Sequence, residues 1–126
     1  MSLRTPLAKV RGLGSAKEGT HHFWMQRLTA IALVPLTLWC AVGFMSLAGA
    51  DYATAKAWVS NPVVAVLLVV AVVMLFHHAQ LGLQVVIEDY VHIEWVKVSA
   101  LIAVKFAALI IALLGIVAVL RVAIGG

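Results

Sequence analysis

Charge is scarce in this chain. Charged side chains make up 11% of its 126 residues, and only five of them are acids. A soluble domain of this size needs a far more polar surface. With 64% hydrophobic residues and a mean hydropathy of +1.10, the composition is that of an integral membrane protein. Cysteine occurs once, as Cys40 inside an apolar run, so an internal disulfide is excluded and the redox compartment stays undetermined. Length is short as well. A chain of 126 residues holds one small helical bundle and no soluble catalytic domain beside it, which argues against a self-sufficient enzyme. Internal repeats and low-complexity linkers are absent. So is a clean small-residue cleavage site after the first apolar run, and a secretory signal peptide is therefore a poor reading of the N-terminus. A mitochondrial-type presequence is compatible with the composition, although the segment is short and modest in Arg.

The formal charge of +4 is concentrated near the start of the chain. Arg4, Lys9, Arg11, Lys17 and Arg27 stand against the single acid Glu18. This pattern is a topology signal rather than a nucleic-acid surface. Gly12, Gly14 and Gly19 argue against a stable helix before about residue 20. Residues 1–27 thus read as a basic cytoplasmic segment and residues 28–126 as an all-α, three-helix transmembrane unit.

Its spans are expected over about 28–50, 63–87 and 98–120, each long enough to cross roughly 30 Å of hydrocarbon. Pro35 lies inside the first and predicts a gentle bend. The 51–61 connection is short and polar, with Tyr52 and Trp58 as interfacial anchors, and Pro62 suits the first turn of the next helix. A second short turn over 88–97 carries three acids, His92 and Trp95. Positive-inside counting puts the N-terminus in the cytoplasm, or the matrix, and the C-terminus outside. Arg27, Asp89 and Tyr90 then share the inner interface.

The segment His77 to Tyr90, HHAQLGLQVVIEDY, carries the chemistry. Ionisable groups inside a membrane helix are costly and mark function. Adjacent helix positions point about 100° apart, so His77 and His78 cannot easily serve one ligand. Asp89 lies eleven residues, three turns, beyond His78 on the same face, about 16 Å along the axis. Gly82, one turn after His78, removes bulk beside it. An imidazole with open space next to it suits a flat macrocycle such as haem. Local features alone leave two readings of His78 open, an axial haem ligand or a histidine hydrogen-bonded to a neighbouring helix. For His77 the second is favoured, because Gln84 and Glu88 lie nearer its face in a polar interhelical seam. Only one histidine is well placed, so a bis-histidine haem needs its second ligand from another chain, and a self-contained dihaem cytochrome is disfavoured.

Asp89 and Tyr90 can hydrogen-bond the carbonyl oxygens of a quinone and help deliver protons to it; the plain alternative is a solvated helix end in the aromatic belt. Arg27 can pair with a haem propionate or serve as a positive-inside anchor. Lys105, inside the third span, either snorkels inward or pairs with a buried acid.

The pattern His78-Ala79-x-x-Gly82, followed by Asp89-Tyr90-Val91, resembles the D-type hydrophobic membrane anchor of succinate dehydrogenase, respiratory complex II. His21 to Leu33, HHFWMQRLTAIAL, resembles that family's entry into its first helix, in the alphaproteobacterial or mitochondrial form. Size and three-span layout extend the resemblance over nearly the whole chain. It implies one half of a heterodimeric anchor bundle. A companion anchor of the C type would complete the bundle. The iron–sulfur and flavoprotein subunits would dock on it, and the complex would be free to assemble as a trimer. The resemblance further implies a haem b shared with the companion anchor and a ubiquinone-reduction site, in a bacterial inner membrane or, in a eukaryote, the mitochondrial one. Residue by residue, His78 matches the axial ligand to the haem iron and Tyr90 the tyrosine that hydrogen-bonds quinone, with Asp89 as its acidic neighbour. Arg27 matches an arginine near the haem propionates and quinone site, and His21, or its neighbour His22, a histidine of that region. Some members of the family lack haem, and fumarate reductases share the general plan. Two rival readings are a cofactor-free structural anchor and a small membrane accessory protein with a proton path.

Overall fold

The computed structural model describes residue 3 and residues 5–12 and 18–125. Arg4, Gly14 and Lys17 of the basic segment lie outside the described residues. The chain is 90% helical with no strands among the described residues, and three of its helices are long and apolar enough to cross a membrane.

A short helix, α1, runs over Pro6–Arg11. Thr5 caps it by accepting a hydrogen bond from the Ala8 N–H at 3.1 Å, and Pro6 occupies its first turn, where a missing N–H costs nothing. The expectation of no helix before about residue 20 is corrected here, because a cap and a proline outweigh the following Gly12. The next helix, α2, Glu18–Ser46, starts close to residue 20 as expected, and well before the apolar run. At 29 residues α2 is about 44 Å long, so its first turns project beyond a hydrocarbon core of about 30 Å. His21, His22 and Arg27 therefore sit on a helix, at fixed angles to one another, and not on a flexible approach to one.

Gly49, at φ +79°, turns the chain out of α2 in the left-handed conformation that glycine tolerates best. The 51–61 connection is itself mostly helix: α3 covers Tyr52–Ser60. Asp51 caps α3, accepting from the Thr54 N–H at 2.9 Å. Hydrogen bonds from Thr54, side chain first and backbone second, hold the Asp51 carboxyl below its ordinary range. Trp58 packs onto α2. It stacks on Trp39 with ring centroids 5.6 Å apart and meets Phe44 edge-on at 5.9 Å. This packing needs Gly43, since a Cβ there would come within 2.6 Å of the Trp58 ring.

Asn61 then caps α4, Pro62–Tyr90, through a 2.9 Å bond from the Val63 N–H, with Pro62 at the first helical position. Only Val91 to Ile93 separates α4 from α5, Glu94–Leu120, so Glu88, Asp89 and Tyr90 belong to the last turn of α4 rather than to a loop. A π-helical turn, Arg121–Gly125, ends α5.

α4 is the central element and packs against α2 on one side and α5 on the other. Gly115 admits Val72 of α4, whose Cγ1 would lie 3.1 Å from a Cβ at that position. Very little is buried within the chain. Among the described residues the apolar core is Leu68 and Leu81, and the most buried side chain of all is polar, Thr29 at 1% exposure. The outer faces of all three spans are left to lipid or to other proteins.

Candidate functional site

Thr29 is buried because it meets His78. Its hydroxyl oxygen lies 3.0 Å from His78 Nδ1, across the α2–α4 contact. The same oxygen is 2.7 Å from the Met25 carbonyl and 3.1 Å from that of Gln26. A hydroxyl has one proton, and the shortest contact, to Met25, takes it. The lone pairs that remain accept from the His78 Nδ1–H. That sharing suits the Nδ1–H tautomer, in which Nε2 keeps a free lone pair. Among the described residues Nε2 has no partner, and the ring is half-exposed. An imidazole held on one nitrogen and open on the other has the arrangement that orients metal-ligating histidines.

The neighbouring contacts follow the same antiparallel register. Gln26 faces Gly82 one turn along, and His22 and Val85 share a cavity one turn further. That cavity, of about 460 Å³, is lined by Gly19, His22, Phe23, Gln26, Arg27 and Gly82, with Val85. Gly82 differs from Gly43 and Gly115. A Cβ at Gly82 would meet only the Gln26 amide nitrogen, at an ordinary 3.8 Å, so packing within this chain does not require glycine there. The space it leaves opens outward, beside the half-exposed His78. Two buried polar atoms of residues that line it, His22 Nε2 and Gln26 Oε1, have no hydrogen-bond partner among the described residues. Buried polar groups are ordinarily satisfied, so this pair is open to a further polar partner. Arg27 stands at the cavity edge with its guanidinium 5.2 Å from the Phe23 ring centroid, a cation–π contact that fixes a charge there.

His21 points elsewhere. It lines a second cavity, of about 430 Å³, together with Gln80, Gln84, Glu88 and Lys105, while His22 lines both. A polar ladder runs along α4 on this side, while His77 lines the adjoining apolar groove and not this cavity. Gln80 donates to Gln84 at 3.2 Å and Gln84 to Glu88 at 2.9 Å. Asp89 and Tyr90 are exposed, Tyr90 at 78%, and line neither cavity. Glu88 and Asp89 both stand in the C-terminal turn of α4, which carries no basic residue. Acids there oppose the helix dipole, at roughly 0.3–1 kcal/mol each. Among the described residues no group of three or more His, Cys, Asp or Glu is placed to hold a metal ion. Among the described residues His78 is the imidazole held on one nitrogen inside a span, with no cage around it, a donor set that fits a metal carried in its own macrocycle.

Sequence reasoning missed Thr29 and Gln26. Both lie in the α2 entry segment, but nothing in their spacing shows which α4 residue they meet. Gly82 was the available signal, and its partner across the contact is Gln26.

Comparison with known proteins bears on the family of the chain. Residues 1–119 match the family described as succinate dehydrogenase/fumarate reductase transmembrane subunit. A succinate dehydrogenase hydrophobic membrane anchor subunit from Rickettsia bellii (strain RML369-C) is 36% identical over 116 residues, covering 92% of this chain and 93% of that one. The protein of the same name from Paracoccus denitrificans is 30% identical over 108 residues, 86% of this chain and 84% of its own length. A succinate dehydrogenase membrane anchor subunit from Porphyra purpurea is 33% identical over 107 residues, 81% of this chain and 82% of its own. With the match running through all three membrane helices, the chain belongs to the succinate dehydrogenase/fumarate reductase transmembrane subunit family, as a membrane anchor subunit of succinate dehydrogenase.

Proposed function

We propose that this anchor presents Nε2 of His78 as one axial ligand to the iron of a haem b shared with the companion anchor, and forms one wall of a ubiquinone-reduction site. The Thr29–His78 contact carries the reading, because it frees the ligating nitrogen and orients the ring. The open space at Gly82 gives room for a macrocycle. Arg27 supplies a charge suited to a propionate or a quinone oxygen, and His22 and Gln26 supply polar atoms that await a partner. Haem b, when bound, would supply a one-electron centre next to the quinone site.

Tyr90 donates its phenolic proton in a hydrogen bond to a quinone carbonyl, and Asp89 beside it exchanges protons with the inner aqueous phase. Their exposure on this chain fits a pocket whose other walls come from the iron–sulfur protein and the companion anchor. Electrons reach that pocket from succinate through the flavoprotein and then the iron–sulfur protein. The N-terminus lies on the cytoplasmic side of a bacterial inner membrane, or the matrix side of a mitochondrial one. The anchor itself performs no chemistry on succinate.

The deciding experiment is a reduced-minus-oxidised optical spectrum of the purified complex, in wild type and His78→Ala. A b-type signal that is lost or shifted in the variant supports the ligand assignment. A b-type signal unchanged by the substitution moves the ligand elsewhere, with His77 the next residue to test. An intact, quinone-reducing complex with no b-type signal reduces the anchor to a docking element and quinone-site wall.

A further inference from the structure

On the side of α4 that also bears His77, the cavity lined by His21, Gln84 and Glu88 runs into an apolar groove between α4 and α5. The two share Gln80 and Lys105. The groove, of about 390 Å³, is walled by Phe76, Leu109, Ala112 and Ile116 among others. From Lys105 to Ile116 it covers eleven residues of α5, about 16 Å, close to half of a 30 Å hydrocarbon core. The shape is amphiphilic, with a polar mouth and a tail slot one leaflet deep.

Charges in the mouth specify the head. Lys105 has no ion-pair partner among the described residues, whose only salt bridge is Lys97–Glu94. The third span, Glu94–Gly125, has 32 residues and is about 48 Å long. Centred on a core of about 30 Å it projects about 9 Å at each end, which leaves Lys105 about 7 Å below the boundary. An extended lysine stem covers that distance, so its ammonium reaches the headgroup level inside the mouth. Glu88 lies on the opposite, α4 wall of the same mouth, more than the 4.0 Å of an ion pair away. The glutamine ladder gives the wall a direction. Gln80 donates to Gln84 and Gln84 to Glu88, which leaves the Gln80 carbonyl oxygen free on the Lys105 side. A cation and an anion that face one cavity without touching are complementary to a ligand carrying both signs.

We infer that this seam holds a zwitterionic phospholipid with an amine headgroup. Its phosphate sits on Lys105, its ammonium on Glu88, and one acyl chain lies in the groove between α4 and α5. The mouth shares His22 with the Gly82 cavity, but the groove and the Lys105–Glu88 pair lie outside that cavity, and the inference does not depend on the haem or quinone reading.

The test uses the intact complex, purified in mild detergent and washed with mixed micelles containing phosphatidylethanolamine and phosphatidylglycerol. Retained lipid is counted by native mass spectrometry. Wild type retains phosphatidylethanolamine in preference to phosphatidylglycerol. Lys105→Met lowers retention on the order of fivefold or more, the loss expected for one cation at a phosphate. Glu88→Gln lowers the preference for the amine headgroup. Ala112→Phe, which fills the slot and leaves the mouth intact, displaces the lipid and decides the matter where Lys105→Met fails to assemble. Wild type without retained lipid, equal retention of both lipids, or retention unchanged in Ala112→Phe overturns the proposal. So does a protein cross-link from Ala112→Cys, which would put a partner helix in the groove. Recording the b-type spectrum on the same samples separates this outcome from that of the His78 assignment.

Discussion

Thr29→Val is the substitution that tests the site most directly. Valine matches threonine in shape, so the α2–α4 contact keeps its packing, and the α2 backbone bonds do not depend on the hydroxyl. What disappears is the acceptor for the His78 Nδ1–H, 3.0 Å away at the most buried side chain among the described residues. A buried donor left without a partner costs about 1–3 kcal/mol. At 1.4 kcal/mol per factor of ten, that is roughly a 5- to 150-fold effect on whatever depends on the ring's orientation. Loss of a residue that orients a metal ligand independently gives a range of about 10- to 100-fold in affinity. Haem retention by the purified complex, read from the b-type difference spectrum through a detergent dilution series, should therefore fall by about one to two orders of magnitude in Thr29→Val. It should stay near wild type in Thr29→Ser, which keeps the hydroxyl. In a double-mutant cycle with His78→Ala, the Thr29→Val effect should vanish. Equal haem retention and an unshifted midpoint potential in Thr29→Val, in a complex where His78→Ala removes the signal, would refute the orienting role of the hydroxyl.

Tyr90→Phe should impair quinone reduction while succinate oxidation with a soluble artificial acceptor stays near wild type; parallel loss of both activities would remove Tyr90 from the quinone site. Gly82→Leu should lower haem content without changing subunit stoichiometry, because a side chain there meets only Gln26 within this chain; full haem content in that variant would show that nothing approaches Gly82. Gly43→Ala should lower the melting temperature of the complex more than Gly115→Ala, since its methyl group would lie 2.6 Å from the Trp58 ring against 3.1 Å from a Val72 methyl. The overpacking cost is about 1–3 kcal/mol, and tryptophan fluorescence should report the displaced indole.

The spans are legible because lipid imposes a simple demand, a long run of apolar residues with internally bonded backbone. The helix starts at Pro6 and Pro62 are both marked in principle, by Thr5 and Asn61, whose side-chain oxygens accept from backbone N–H groups just inside each helix. The first is masked in the sequence, since Gly12 and Gly14 follow it so closely. The α2 start at Glu18 escapes because hydropathy reports where lipid ends and not where helix ends. α3 escapes because its nine residues are too few for a periodic pattern to show. His78 stands out as an ionisable group in an apolar run, but the contact that gives it a role joins residues 49 positions apart. No spacing rule places Thr29 opposite His78; the docking of α2 on α4 does. Asp89 and Tyr90 are legible as residue types only, since both are exposed on this chain.

That contact also orders events in time. The α2–α3–α4 segment is contiguous, so α2 can dock on α4 as soon as the second span is inserted, before any other protein arrives. From that moment the Thr29 hydroxyl holds the His78 ring through Nδ1. The orientation of the His78 ring is thus set by a contact within this chain, and an anchor whose first two spans have not yet closed on each other presents that histidine without it. On the proposed haem reading, cofactor capture becomes conditional on correct local folding, and an assembly line built this way rejects its unfinished part without a separate inspector.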